Sequence, residues 1–443
     1  MNKKFLLKSI VFVLLFALCL APVNRVLSQP LDRRSYQWVA GFYEEPEDSL
    51  DAVYIGSSNV YAFWNPLLAW DSQGIAVYSY ASNDQPFAAV PYLIDEVRKT
   101  QPDALIIVNV NSLHDTVIKE THMHYLVGNM PMSLNRLKLT KHLADEAGYS
   151  LSESMEFYFP IIRFHERWSE LKEADFEFEI NGLKGASIYA NHLQGVKNIT
   201  ADYQVGIEPS VPEDAVLDTL NSLLDYCDAH SVNILFVTVP RAEENVETVN
   251  NFLYLNDLIE SRGYPVLDLM DKLDEIGLET KKDYYNETHT NIHGSVKFTR
   301  YLSQYLVENY GFRDKRGEEA YSSWEEGRKA YAAYLDPQVL DIEYNGAVRD
   351  YTLAEPGSLR AKEQDSCVTV TWSAVEGAEG YCVYKKTGSG RWKRLAEVTE
   401  TQFIDTQMRN DVTWMYRVVP LRYDETGEVC YGRFAYSGAS IKS

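Results

Sequence analysis

Asp51-Ala-Val-Tyr-Ile-Gly-Ser-Ser-Asn-Val-Tyr61 is the stretch on which the reading of this chain turns. An apolar strand ends at Gly56, and two serines follow at once, before an aromatic-rich turn. A hydroxyl at the carboxyl end of a strand in an α/β domain stands in the crevice where such folds place their sites. Ser57 and Ser58 are therefore candidate nucleophiles. The competing reading is a serine that only caps the helix that follows.

Outward from that stretch, short apolar strands alternate with longer amphipathic helices. Strands are expected at 51–56, 104–110, 233–239 and 264–269, and helices at 86–100, 213–230, 246–262 and 294–310. Continuous apolar strands between helices imply a parallel sheet covered on both faces. Residues 112–206 break the rhythm and read as a largely helical insertion over the strand ends.

The second signal is Asp283-Tyr-Tyr-Asn-Glu-Thr-His-Thr-Asn-Ile-His-Gly294. His289 stands in a loop just ahead of the last helix of the domain, at the rim where Ser58 is expected. A serine and a histidine brought together there form a nucleophile and base, the imidazole taking the hydroxyl proton during attack on an acyl carbon.

With both ends in view, residues 51–310 resemble the SGNH/GDSL hydrolase superfamily. They are most similar to its membrane-anchored extracytoplasmic branch, which includes the teichoic-acid D-alanyl transfer protein and alginate O-acetyltransferase-like proteins. The matching residues are Ile55-Gly-Ser-Ser-Asn59 and Asn286-x-x-His289-x-Asn-x-x-Gly294, supported by Ser82-Asn-Asp-Gln-Pro86 and Tyr158-Phe-Pro-Ile-Ile-Arg-Phe-His-Glu-Arg-Trp168. The resemblance implies a flavodoxin-like α/β fold with Ser58 as nucleophile and His289 as base. It also implies an oxyanion site at Asn111 and near Asn83, and a substrate-facing role for His165 and Trp168. Asn286 departs from the family, which places an aspartate three residues before the histidine. A neutral amide orients a ring without offsetting its charge; Asp283, Glu287 or a backbone carbonyl are the other candidate orienters. Asn111 also reads as a strand-end residue capping a turn.

Metal chemistry finds little support. His289 and His293 are four apart, but Asn291 and Gly294 favour a loop, and no carboxylate follows as in a zincin helix. His122-Met-His124 reads as a solvated loop pair. The Ser–His mechanism calls for no cofactor.

The formal charge of −22 argues against nucleic acid, which draws its affinity from Lys and Arg on phosphates. At the N-terminus, Lys3, Lys4 and Lys8 precede an apolar run from Ile10 to Val23. This reads as an export signal at 1–28, kept as a signal-anchor or cleaved after Ser28, which places the rest outside the cytoplasmic membrane. Beyond Cys19 there are Cys227, Cys367, Cys382 and Cys430, too few for a disulfide framework. One bridge between Cys367 and Cys382, expected on neighbouring strands, is left open.

The α/β domain is expected over 29–312, then a helical tail and linker over 313–355, with Tyr321, Trp324, Tyr331 and Tyr334 packing back on the domain. From 356 to 443 the pattern is all-β, with alternating runs at 368–372, 381–384, 392–395, 402–405 and 414–419 that imply a β-sandwich. It resembles a fibronectin type III module, with Trp372 as its core tryptophan. Two functions stand open. One is a cell-envelope O-acyl esterase or acyltransferase on a surface carbohydrate polymer, served by a membrane acyl-donor protein. The other is a silent SGNH fold acting with its β module as an anchored adhesion or scaffold protein.

Overall fold

The computed structural model describes residues 3–28, 33–187, 208–242, 244–284, 286–334, 348–349, 353–364, 367–387, 392–407, 412–423, 425, 427, 429–432, 434 and 438–442. The end of the expected insertion (188–206) and most of the expected linker (335–347 and 350–352) lie outside the described residues.

Two helices lead in, α1 (Lys3–Ser28) and α2 (Arg33–Phe42). Among the described residues no helix is long and apolar enough to cross a membrane. Then come β1 (Ala52–Gly56), α3 (Ser58–Phe63), α4 (Pro66–Gln73), β2 (Val77–Ala81), α5 (Val90–Thr100) and β3 (Leu105–Asn109). Within the insertion are α6 (Glu120–Leu126), α7 (Leu134–Glu146), α8 (Leu151–Tyr158) and α9 (Ile161–Phe164). The domain resumes with α10 (Asp214–His230), β4 (Ile234–Thr238), α11 (Val246–Ser261), β5 (Val266–Asp268), α12 (Leu273–Ile276), α13 (Thr280–Asp283) and α14 (Ile292–Tyr310).

The five strands pair in parallel in the order β2-β1-β3-β4-β5. That order places a switch point between β1 and β3, whose carboxyl ends open a crevice. Ser58 follows β1 and Asn111 follows β3, so the topology sets the two on either side of it. The first four strands in chain order are buried at every position, as helices on both faces require. β2 went unread because two tyrosines and a serine interrupt its apolar run. Its phenols are satisfied inside: Tyr78 donates to Trp38 O at 2.9 Å, and the Tyr80 and Tyr43 hydroxyls meet at 2.8 Å.

Gly56 is required where it stands. A Cβ there would lie 2.6 Å from Val60 Cγ2 and 2.9 Å from Asn109 Cβ, so only glycine lets α3 and β3 close on the end of β1. Gly294 does the same for the histidine loop, where a Cβ would meet Asp283 O at 2.3 Å.

The tail forms α15 (Ser322–Tyr334) and packs back on α4. Trp324 meets Trp70 at 5.6 Å and donates to Glu45 Oε2 at 3.1 Å, and Lys184 neutralises that carboxylate at 2.7 Å.

The C-terminal region is antiparallel apart from a short first strand. It comprises β6 (Val348–Arg349), β7 (Arg360–Gln364), β8 (Cys367–Thr371), β9 (Gly380–Thr387), β10 (Lys393–Val398), β11 (Gln402–Asp405), β12 (Thr413–Tyr423), β13 (Val429–Tyr431) and β14 (Ala439–Lys442). One sheet runs β10-β9-β12-β13-β6 with β14 on β12, and the other β11-β8-β7. Val368 and Val370 from one sheet and Tyr381, Val383, Tyr416 and Val418 from the other share a core with Trp372, which packs edge-on to Tyr381 at 5.4 Å. The expectation that Cys367 and Cys382 sit on neighbouring strands fails. β8 and β9 belong to different sheets, and all five cysteines are free.

Candidate active site

Ser57 takes the N-cap position of α3 with extended backbone, yet its side chain makes no capping bond. Ser58 opens the helix instead, its Oγ 2.7 Å from His289 Nε2. The two residues are 231 apart in sequence and meet because β1 and the loop before α14 end at the same rim. His289 is held on its other side by Asn286. The Asn286 Oδ1 accepts from the His289 and Thr288 backbone N–H groups at 2.8 and 3.0 Å and lies 3.0 Å from His289 Nδ1. Two backbone donors fix the amide with its oxygen toward the ring. An oxygen there selects the tautomer with the proton on Nδ1, which leaves the Nε2 lone pair for the serine. Thr288 Oγ1 also approaches Nδ1, at 2.9 Å.

The other candidate orienters are committed elsewhere. Asp283 is buried, accepts from Glu279 N and pairs with Lys297 at 2.8 Å, while Glu287 is exposed.

Arg241, which the motif reading missed, ties the site together. Its Nη2 donates to Asn59 Oδ1 at 2.9 Å and Asn111 O at 3.3 Å, and its Nη1 pairs with Glu244 at 2.8 Å. Asn59, next to the serine, donates in turn to Thr288 O at 2.8 Å. The signal was legible in principle, since Arg241 follows β4 as Ser58 follows β1. Burial, with the Arg241 charge adding to it, pushes the His289 imidazole down to about 4. The ring is therefore neutral at pH 7, the form a general base needs, and the group that meets its Nδ1 in the place of the family's aspartate is the neutral Asn286 amide.

Asn111 lies beside this group with its amide largely spent. Its Oδ1 accepts from Val239 N at 2.7 Å and Asn109 Nδ2 at 3.0 Å, and its Nδ2 donates to Val239 O at 3.1 Å. One Nδ2 hydrogen is left for an oxyanion. Asn83 is one link further out: Tyr61, one turn after Ser58, donates to its Oδ1, and its N–H reaches Ser35 Oγ at 3.4 Å.

His165 and Trp168 are not brought to the serine. Both lie on the 3₁₀ turn His165–Ser169, exposed, on the segment that packs against α1.

The His122-Met-His124 pair is a correction. It lies on helix α6, mostly buried, because Met123 and Leu126 carry that helix into the core. His124 packs tilted against Phe157 and edge-on to Phe164, and with Glu120 and Glu156 it makes a cluster whose donor atoms lie within 4.8 Å of one another. Arg163 pairs with both carboxylates and gives the cluster its own cation.

No family model matches this chain, and no curated protein matches it. Solved structures similar to it include the FN3tt mutant, 21% identical over 20% of this chain and 92% of that one, with a TM-score of 0.17. A Fn3-like protein from Clostridium thermocellum is 24% identical over 20% of this chain and 93% of its own, also at 0.17. Pectate lyase Pel3 from Pectobacterium carotovorum is 18% identical over 20% of this chain and 27% of its own, at 0.16. At these TM-scores the likenesses carry nothing about the fold or the chemistry of the chain.

Proposed function

We propose that the protein is an SGNH-type serine enzyme of the cell envelope, cleaving or transferring O-acyl groups on a surface carbohydrate polymer, with a fibronectin type III-like module at its C-terminus. The observation that carries the reading is the Ser58 Oγ to His289 Nε2 contact of 2.7 Å, with the far side of the ring held by Asn286. Nucleophile, base and orienter within hydrogen-bond reach are what acyl transfer needs.

In this reading Ser58 attacks the ester carbon while its proton passes to His289 Nε2. The C–O bond of the ester then breaks and the leaving alkoxide takes that proton, which leaves an acyl-serine. Water or a sugar hydroxyl then attacks the acyl-serine while its proton passes to His289 Nε2; the acyl–Oγ bond breaks, the acid or the new sugar ester leaves, and Ser58 Oγ takes the proton back. The last Asn111 Nδ2 hydrogen and the backbone amides beside Ser58 are the donors for the oxyanion in this reading, the side-chain donor contributing about 3 to 4 kcal/mol when placed on the transition state. The overall charge of −22 favours a neutral or zwitterionic polymer. A membrane protein is the expected acyl donor.

The neutral Asn286 is the observation that keeps the second reading, a silent fold serving as an anchored scaffold. Pre-steady-state cleavage of p-nitrophenyl acetate separates the two. The enzyme reading expects a burst approaching one equivalent of nitrophenol per chain that disappears in Ser58→Ala; no burst in the native chain favours the scaffold.

A further inference from the structure

Trp168 is the exposed one among eight tryptophans; the other seven are all buried. It does not stand alone. Phe159, Ile162 and Phe176 on the same stretch of chain are 43%, 49% and 58% exposed, and Trp168 itself is 73% exposed. Large exposed apolar side chains recurring along one short stretch of chain mark a place that something covers.

What adjoins them is α1. Ile161 N donates to Asn24 Oδ1 at 2.9 Å, Arg167 donates to Leu27 O, and the Arg25 guanidinium lies 4.2 Å over the Phe178 ring. The same segment is stitched to α2, where Tyr36 donates to Phe178 O and Gln37 to Glu179 O, each at 2.9 Å. Along its length α1 itself carries exposed Phe5, Leu7, Phe12, Leu15 and Phe16, with lysines at its start. A helix this apolar needs a non-aqueous neighbour, and whatever lies around its last turns lies against the collar.

We propose that Phe159, Ile162, Trp168 and Phe176 form a collar around the end of α1 that docks into the interfacial layer of a lipid bilayer. Tryptophan fits that layer because its ring is apolar and its N–H stays wet. Between Phe159 and Phe176 the collar also carries Glu166, Glu170, Glu173 and Asp175 among Arg163, Arg167 and Lys172, a mixed and slightly acidic charge that suits zwitterionic headgroups rather than anionic ones. The proposal does not need α1 to span, and it does not rest on the chemistry assigned to Ser58.

It does have a consequence for that chemistry. Ser35, whose Oγ accepts from Asn83 N, comes seven positions after Ser28, so chain reach holds the rim of the crevice within roughly 25 Å of the end of α1. Esters at or near the membrane surface are then the ones within reach.

The test uses the full chain reconstituted in phosphatidylcholine vesicles, with and without lipids brominated near the headgroup end of their chains. Trp168→Phe isolates the signal of Trp168 by difference, and an aromatic swap at so exposed a position leaves the fold intact. The expected result is at least a twofold quenching of the Trp168 component by brominated lipid, together with protection from aqueous iodide. Quenching by iodide and not by brominated lipid would place the collar in water and overturn the proposal. Protection from both would place it against protein, a second copy of the chain in this preparation, and would overturn it equally.

Discussion

Both halves of the molecule bury polar and charged side chains, and they use them differently. In the C-terminal β region Lys385 and Asp405 pair inside the sandwich; Tyr416 donates to the same carboxylate at 2.6 Å and Gln407 N to its other oxygen at 2.9 Å. Lys385 lies 3.8 Å over Trp414, and Arg417 is held between Trp392 at 4.2 Å and Phe434 at 4.7 Å. Each charge there has a counter-charge or a ring. In the α/β region the network of Asn59, Asn111, Arg241, Asn286 and His289 converges on one hydroxyl at a strand end, and the histidine has an amide where a charge would serve it better. A network that closes on itself, as Lys385, Asp405, Tyr416 and Gln407 do, holds a fold together, whereas one that converges on Ser58 and His289 is what the proposed chemistry needs.

That contrast breaks if mutations on the two sides act alike. The largest effect is expected at His289→Ala, which should slow ester cleavage by about 10⁴-fold while the urea midpoint of the chain moves little. Asp405→Ala should do the reverse. It strands Lys385 in the sandwich and should cost about 3 to 5 kcal/mol in the unfolding of the β region, with the rate of reaction at Ser58 unchanged.

A smaller effect concerns acid. Burial pushes His124 down to about 4 from an ordinary 6.5, so the unfolded chain takes up its proton first as the pH falls. Stability is full above pH 6.5 and is lost between 6.5 and 4, by about 3 kcal/mol at most. In His124→Gln that part of the pH dependence of urea unfolding should disappear.

The smallest effect sharpens the comparison from the other side. Asn286→Asp places an anion beside the imidazole, should raise its pKa above about 4, and should speed ester cleavage by about tenfold or more. The acid limb of the pH–rate profile should move up with it. A limb that stays in place would mean that Asn286 does not set the charge state of the base.

The legible parts of the chain were those whose pattern follows from local physics. The runs Leu105–Val108 and Ile234–Val237 are apolar throughout because both faces of their sheet are covered, and Cys367–Thr371 alternates because one of its faces is wetter than the other. The Ser58 and His289 blocks could be read because each ends or begins a regular element. β2 could not, since Tyr78 and Ser79 look polar until the groups that satisfy or enclose them are seen. The His122-Met-His124 pair was misread for a similar reason, because two histidines count as polar in a pattern while Phe157 and Phe164 make an apolar seat for one of them. Arg241 carries no motif, and only the three-dimensional path of the chain after β4 brings it to the site. The placement of Cys367 and Cys382 failed because sequence order does not say which strand changes sheet.

The most direct test of the central claim is covalent labelling of the full chain with a serine-directed fluorophosphonate, followed by peptide mapping. The account predicts label on Ser58 alone, lost in Ser58→Ala, strongly slowed in His289→Ala, and kept in Ser57→Ala and Asp405→Ala. Label on Ser57, or none above the Ser58→Ala background, would contradict it.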